Sequence, residues 1–426
     1  MMPTARDPEY LDESAVRSEL VRVHDVCGGC RRCTELCTSF PTLFDLLDRR
    51  GDAGSLTPAE QDRVTDACVQ CKLCVIGCPH DVDVPRTMLR ASAMQYASDI
   101  TTIPTRFTTR LFGRTRLIGA VGARLSTAVD RLLGRPPRSL PRRMLSALTG
   151  VTARRSVLRF ADQRFSTWCS MRPGIRLRDK QAEVSVVPTC LVEYHRPDIG
   201  KDLIRVYERN GIQCSISDVA CCGAPSLHGG DVARFTDVAT ANARRLAREI
   251  RAGRDVVVAQ PSCAHVLRHA TVDHVRADAV ADAELVAAHT WDASEYLLAV
   301  HMGEDAVLDT DFDGDVPTSI TYHAPSTLRA QQPGFKSRDL LMLTGAEVTT
   351  IQQGAGTESL WDLRAEMDDA VEPIARELGE TVLAQRTGVV STDCVFAAEV
   401  IAEHTGRIAL HPLQIVARAY GIGDRY

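Results

Sequence analysis

The chain has 426 residues, 44% hydrophobic and 25% charged, enough to bury more than one core; this composition excludes a disordered or fibrous protein. Its net charge of −5 excludes a general affinity for nucleic acid. Fifteen cysteines are too few for a disulfide scaffold, which takes roughly 8–10% of a short chain.

The first residues, MMPTARDPEYLDES, are acidic and polar with no apolar core, so a secretory signal is not expected. No run of 18 apolar residues exists, which excludes a conventional membrane-spanning helix. The expected location is therefore the reducing cytosol, where clustered thiols are metal ligands more often than disulfides.

Cys27, Cys30, Cys33 and Cys37 read CGGCRRCTELC, and Cys68, Cys71, Cys74 and Cys78 read CVQCKLCVIGCP. Both runs have the C-x2-C-x2-C-x3-C spacing of bacterial ferredoxins. Three thiolates at i, i+3 and i+6 on a tightly turned loop reach three corners of one iron–sulfur cube, and the fourth points away into the following helix. In two-cluster ferredoxins that fourth cysteine serves the other cluster. The expectation is two [4Fe–4S] clusters, one on Cys27, Cys30, Cys33 and Cys78, the other on Cys68, Cys71, Cys74 and Cys37. Pro79 supplies the usual C-P ending in the second run, whereas Thr38 replaces it in the first. A pair of zinc sites is the alternative, although zinc ribbons use two separated C-x2-C knuckles.

Between the runs, PTLFDLLDRRGDAGSLTPAEQDRV has helical character on both sides of a Gly-rich turn, and DVPRTMLRASAMQYASD reads as a closing helix. A helical ferredoxin-like domain over residues 1–100 fits. An Arg-rich helical connector is expected over residues 101–180. From Thr101 to Phe160 there are thirteen arginines, no lysine and one acid, Asp130, giving +12 against −17 for the rest. Ile118, Val121, Leu125, Val129 and Leu132 recur at helical spacing, with Arg124, Arg131 and Arg135 on a neighbouring face. Such a helix either lies on an anionic membrane surface or packs between domains on the protein's own acidic surface. Gly113, Gly119, Gly122 and Gly134 weaken the helical pattern.

From about Gln181, short β-rich runs alternate with helical stretches. VSVVPT, CSISD, VVVAQPS, SITYHAPS, VTTIQ, GVVSTD and IALHP read as strands. RPDIGKDLIRVYERN, DVARFTDVATANARRLAREIRAG and TESLWDLRAEMDDAVEPIARELGE read as helices. The alternation predicts parallel α/β sheets. Turns bearing Cys190, the Cys221-Cys222-Gly223 triplet and Cys263 recur as Ser326, Gln352 to Gly354 and Cys394. Cys222 to Cys263 and Gln353 to Cys394 both span 41 residues. We read two copies of one module, residues 181–312 and 313–426, the second having lost most of its thiols.

Thiols at the C-terminal ends of parallel strands converge on one crevice. Cys190, Cys221, Cys222 and Cys263 are therefore expected to bind an iron–sulfur or zinc centre, with buried structural cysteines as the alternative. Ser326, Gln352 and Gln353 are not soft ligands, and Cys394 alone cannot hold a cluster. His323 and His411 read as ordinary hydrogen-bonded histidines, and Cys169 and Cys214 as structural. His265, His269 and His274 have helical spacing with nothing else around them to suggest a site. No G-x-G-x-x-G fingerprint occurs, so flavin or nicotinamide would have to come from a partner chain.

The order of two ferredoxin quartets followed by paired modules around a Cys-Cys-Gly (CCG) triplet resembles the iron–sulfur C subunits of anaerobic glycerol-3-phosphate dehydrogenases. These sit within a wider heterodisulfide-reductase and glycolate/lactate-oxidase iron–sulfur group. Beyond the quartets, the resemblance rests on PTCLVEYHRPDIGKDLIRVYERNGI, CCGAPSLHGG, QPSCAHVLRH, GVVSTDCVFAAEVI and TGRIALHPLQIVARAYG. It implies an α+β multidomain fold: a helical two-cluster ferredoxin-like domain followed by two tandem α/β CCG modules. It also implies electron relay from a flavoprotein dehydrogenase, or another redox protein, toward the quinone pool, with peripheral attachment to the inner face of the plasma membrane. The quartet thiols and Cys190, Cys221, Cys222 and Cys263 carry over as ligands. Gln260 stands where the heterodisulfide-reductase version has another cysteine. Ser326, Gln352, Gln353 and Ala397 stand at expected thiol positions of the second module, which argues against a second CCG centre and against disulfide reduction. Two rival readings remain: a thiol/disulfide reductase acting through the first CCG centre, and a scaffold whose modules bind zinc or nothing.

Overall fold

The computed structural model describes residues 2–98, 100–101, 103–114, 119–122, 139–173, 177, 180–301, 308–331 and 334–423. Its N-terminal lobe consists of helices α1 (Glu13–Cys30), α2 (Phe40–Arg50), α3 (Pro58–Asp66) and α4 (Val84–Ala97). Asp12 starts α1 by accepting the Ala15 N–H, and a Thr57/Glu60 capping box starts α3. Val16, Leu20 and Val23 recur at three- and four-residue spacing, so one stripe of α1 is buried against Leu43 and Leu46 of α2 and Met88 of α4. The two helices expected around the Gly-rich turn are α2 and α3.

The first cysteine run departs from the expected loop. Helix α1 continues through Cys27 and Cys30, because the Arg31 N–H still bonds the Cys27 carbonyl. Arg31 then adopts a left-handed conformation, φ 51°, and the turn is confined to the residues after it. The second run is the tightly turned loop, with Gln70 and Lys72 at φ 55° and 64°.

Two four-stranded sheets follow. The first contains β1 (Ala182–Val187), β2 (Ile212–Ile216), β3 (Asp255–Val258) and β4 (Thr290–Asp292) in the order β2-β1-β3-β4. The second contains β5 (Ser319–His323), β6 (Glu347–Ile351), β7 (Val389–Thr392) and β8 (Ala409–Leu410) in the order β6-β5-β7-β8. Every pairing in both is parallel. The identical strand order repeats the module at the level of topology.

Two expectations about these elements are corrected. Strand β4 is additional to the seven expected, since three residues are too few to display an alternating pattern. The helix expected from Thr357 begins only at Asp368, running Asp368–Ala384. Ser359 and Asp362 form a capping box on a short 3-10 turn, and extended Arg364 (ψ 144°) breaks continuity.

The modules share a core in which Leu203 and Tyr207 of the first pack with Val390 and Val416 of the second. The connector is attached to both. Thr152 N donates to Leu363 O at 2.7 Å, and Ala161 N donates to Tyr194 O at 2.8 Å. Most of the amphipathic pattern, including Ile118, Arg124, Leu125, Val129, Arg131, Leu132, Gly134 and Arg135, lies outside the described residues. Gly119 and Gly122 are described, and they are sites of close packing: a Cβ there would stand 2.3 Å from the Tyr194 ring and 2.4 Å from the Phe160 ring.

Candidate metal centres

The quartet thiols are grouped across the two runs. Burial and the neighbouring thiols of Cys33, Cys78 and Cys30 push the Cys27 thiol up to about 12. Burial and Cys68 do the same to Cys37, which belongs to the other run. Cys71 is raised to about 12 by burial and by Cys37, and Cys74 is raised further by burial, Cys71, Cys37 and Cys68. Cys27 thus has Cys78 of the second run among its thiol neighbours, and Cys37 has Cys68, Cys71 and Cys74 among its own. Cys33 also acts on Cys37 and Cys74, so the two runs are close neighbours. A cavity of about 190 Å³ is lined by Cys27, Cys30, Cys33, Cys74 and Cys78.

Two N–H donors already point at sulfur: Ser39 N at 3.4 Å from Cys37 Sγ, and Gln70 Nε2 at 3.5 Å from Cys68 Sγ. Where a C-P ending was expected, Thr38 Oγ1 instead donates to Ala67 O at 2.5 Å, tying the first run to the start of the second. Lys72 is 7% exposed and donates to Gln70 O at 2.9 Å inside the second loop. Its cationic head is a feature that cysteine spacing alone does not single out.

In the first module the strand ends bring four further thiols together. Cys190 follows β1, Cys221 and Cys222 follow β2, and Cys263 follows β3, at the point where strand order reverses. Cys222 Sγ lies 3.3 Å from Cys263 Sγ. The Cys221 thiol is hydrogen-bonded to both Cys190 and Cys222, which, with burial, raises those two well above the ordinary thiol range. Thr189, a β-branched residue, is held at φ 53° beside Cys190, a strained conformation that packing must maintain. Gly223, at φ 92°, provides the turn after the cysteine pair, where a Cβ would meet the Phe235 ring at 2.9 Å. Cys190, Cys222 and Cys263 are buried and Cys221 half-buried. A cavity of about 650 Å³, walled by Arg114, Pro225, Arg234, Val238 and Asn242, opens on Cys221.

Among the described residues, no three His, Cys, Asp or Glu side chains are drawn together for a single metal ion.

In the second module, His323 spends both ring nitrogens on Thr392 Oγ1 and Gln353 O, each at 3.0 Å. His411 Nε2 bonds Ala259 O at 3.2 Å, and its Nδ1 accepts the Leu413 N–H. Cys394 Sγ accepts from Gln260 Nε2 at 3.3 Å, while Gln260 Oε1 accepts from Val395 N at 3.1 Å. Gln260 is thus a fastener between the modules. Ser326 Oγ donates to Glu358, Gln352 Oε1 accepts from Arg329, and Ala397 is buried.

The remaining cysteines and histidines fall elsewhere. Burial raises Cys169 to about 12, and burial with Glu208 raises Cys214 well above the ordinary range. His274 is tied to Tyr10 Oη at 2.9 Å and Ala270 O at 2.8 Å. His265, His269 and His274 line a cavity of about 550 Å³ that also touches Lys72 and Cys78.

The profile of the family described as "CCG: Cysteine-rich domain" matches residues 184–268. The matched span falls within the first α/β module. All four of its clustered thiols lie within the matched span. Outside the CCG domain the similarity extends further. Over 317 residues, 72% of this chain and 76% of the relative, the chain is 25% identical to the C subunit of anaerobic glycerol-3-phosphate dehydrogenase from Escherichia coli (strain K12). Over 212 residues, 49% of this chain and 39% of the relative, it is 26% identical to the B subunit of the CoM/CoB fumarate reductase from Methanothermobacter marburgensis. Lactate utilization protein A of Bacillus pumilus (strain SAFR-032) is 26% identical over 145 residues, 33% of this chain and 56% of the relative. Two of these three relatives are by name subunits of a dehydrogenase and a reductase, and the CCG domain lies within a chain that resembles them.

Proposed function

We propose that this chain is an iron–sulfur electron-transfer subunit. It relays electrons between a flavin-dependent dehydrogenase of the glycerol-3-phosphate type, or another redox protein, and the quinone pool. The observation that carries the reading is the crosswise grouping of the quartet thiols, with Cys78 beside Cys27 and Cys37 beside Cys68. In this reading residues 1–100 are a ferredoxin-like domain, 101–180 a connector, and 181–312 and 313–426 the two modules.

The donor sets suit the group proposed for them. Each offers four soft sulfurs, the donor type that iron–sulfur clusters and zinc take. Cys27, Cys30, Cys33 and Cys78 would hold one [4Fe–4S] cluster, and Cys37, Cys68, Cys71 and Cys74 the other. Cys190, Cys221, Cys222 and Cys263 would hold a further iron–sulfur or zinc centre. Such clusters exchange single electrons. The protein's contribution is to exclude water, to aim the Ser39 and Gln70 N–H groups at sulfur, and to keep the two sets adjacent through Cys33. The relatives that are named as oxidoreductase subunits support a redox partner for this chain.

Anaerobically purified protein is expected to carry about eight iron atoms from the two quartet sets. Cubane-type electron paramagnetic resonance should follow on reduction, with no turnover unless a flavoprotein is added. Zinc without iron would overturn the reading. Disulfide reduction by the isolated chain would favour the reductase alternative, for which the cavity at Cys221 offers access.

Peripheral membrane contact is assigned to the connector. Arg142 donates to Thr152 O and Arg155 pairs with Asp368, so these two arginines face the protein, while Arg154 forms an exposed pair with Asp369. The helix Leu140–Thr149 exposes Leu140, Met144 and Leu148, at 69%, 61% and 76%, on one face beside exposed Arg143. No helix among the described residues is long and apolar enough to cross a membrane, so contact would be by such a face. In flotation with phosphatidylglycerol vesicles, replacing all three apolar residues by serine should lower the bound fraction severalfold. Equal flotation of wild type and variant would exclude this face.

A further inference from the structure

Because the two sheets share one strand order, each thiol of the CCG domain has a positional counterpart in the second module. Ser326 answers to Cys190, Gln352 and Gln353 to Cys221 and Cys222, and Cys394 to Cys263. A carboxyl group, that of Glu358, is now bound to Ser326. Glu358 is 2% exposed and accepts hydrogen bonds from Ser326 Oγ at 2.5 Å and Thr327 Oγ1 at 3.5 Å. Its charge acts both on Cys394 and on Cys71 in the second cysteine run.

The charged and titratable groups that face Glu358 are committed elsewhere. Asp362 Oδ2 accepts the backbone N–H groups of Glu358 and Ser359, both at 2.8 Å. Lys72 donates to Gln70 O, and Arg329 donates to Gln352. His228, which bonds Ser359 Oγ at 3.1 Å, is kept neutral by burial. Among the described residues Glu358 has no ion pair. Burial, with Asp362 adding to it against the pull of Ser326, Lys72 and Thr327, brings the carboxyl up to about 7.

We propose that Glu358 takes up a proton when an electron arrives on the thiol-held group that includes Cys71, so that the second module, having exchanged its thiols for a carboxyl, serves as a proton acceptor. The inference rests on the reading of Cys37, Cys68, Cys71 and Cys74 as cluster ligands. An added negative charge in a poorly hydrated interior disfavours a second one nearby, so the carboxylate is driven toward its neutral form. The balance is simple. One electron comes from a one-electron flavoprotein donor, one proton comes from solvent, and one O–H bond forms on a Glu358 oxygen, held in place by the Ser326 and Thr327 hydroxyls. On reoxidation the electron leaves and the proton returns to water.

The test is a redox titration of the anaerobic full-length protein, followed by electron paramagnetic resonance from about pH 6 to about pH 9 and paired with reduced-minus-oxidised infrared spectra. One midpoint should fall by up to about 59 mV per pH unit, the tenfold change for a one-electron couple. The other should stay flat, and a protonated-carboxyl band should appear on reduction. Glu358→Gln, close to isosteric and able to keep both hydroxyl partners, should flatten the slope and remove the band at unchanged iron content. Ser326→Ala removes a bond that favours the charged form and should move the sloping window to higher pH. A flat wild-type profile, or a slope that survives Glu358→Gln, overturns the proposal while leaving the electron-transfer reading intact. Loss of that reading would instead show as missing iron in the Cys71 set.

Discussion

Cys78→Ala is expected to empty the set that contains Cys27, Cys30 and Cys33, although Cys78 belongs by sequence to the other run. Iron should drop by about half, and one of two resonance signals should vanish while the other keeps its shape. Cys37→Ala should do the reverse, removing the signal of the Cys68, Cys71 and Cys74 set. The warrant is electrostatic neighbourhood: Cys33, Cys78 and Cys30 act on Cys27, whereas Cys68 acts on Cys37 more strongly than Cys33 does. Alanine is preferable to serine here, because a serine oxygen can replace a ligand and mask the loss. If each variant instead lost the signal of its own run, the crosswise arrangement would be wrong, and each quartet would serve a single group.

The second large effect concerns the joint between the connector and the second module. Arg155, 5% exposed, donates to Asp368 Oδ1 at 2.7 Å and to Thr357 Oγ1 at 3.1 Å. Thr152 Oγ1 donates to Asp368 Oδ2 at 2.9 Å, so both carboxylate oxygens are engaged. Arg155 also donates to the Asp362 carbonyl, which fixes the turn that carries Glu358. Asp368→Ala leaves a buried guanidinium without its partner and should destabilise the fold by about 3–5 kcal/mol. The double variant Arg155→Met/Asp368→Leu should cost clearly less, since no unpaired charge remains buried. Urea unfolding curves compared at equal slope will decide this. A double variant as unstable as Asp368→Ala would mean that the joint depends on the hydrogen bonds to Thr357 and the Asp362 carbonyl rather than on the ion pair.

The legibility of this chain varies with the range of the interactions involved. Helices α2 and α3 are readable because their caps, Gly51 and Thr57, and their apolar stripes are local. Seven strands are readable from short apolar runs, and the duplication from a repeated 41-residue spacing. Strand β4 escapes because three residues carry no period. The delayed start of the helix Asp368–Ala384 escapes because the Ser359 and Asp362 cap, together with Arg155 more than 200 residues upstream, overrides a helical composition.

The candidate sites divide in the same way. Cysteine spacing alone determined which eight thiols form the quartets and which four belong to the first module, because ligand spacing is a property of the local chain. Tertiary structure decided the rest. Gln260 fastens onto Cys394 across 134 residues, so a position read as a missing ligand is a structural tie. Lys72 and Glu358, far apart in sequence, act on each other within the interior beside Cys71. Their consequence depends on burial, and burial is fixed only when the N-terminal lobe and the second module close over them, removing the water that would otherwise screen their charges.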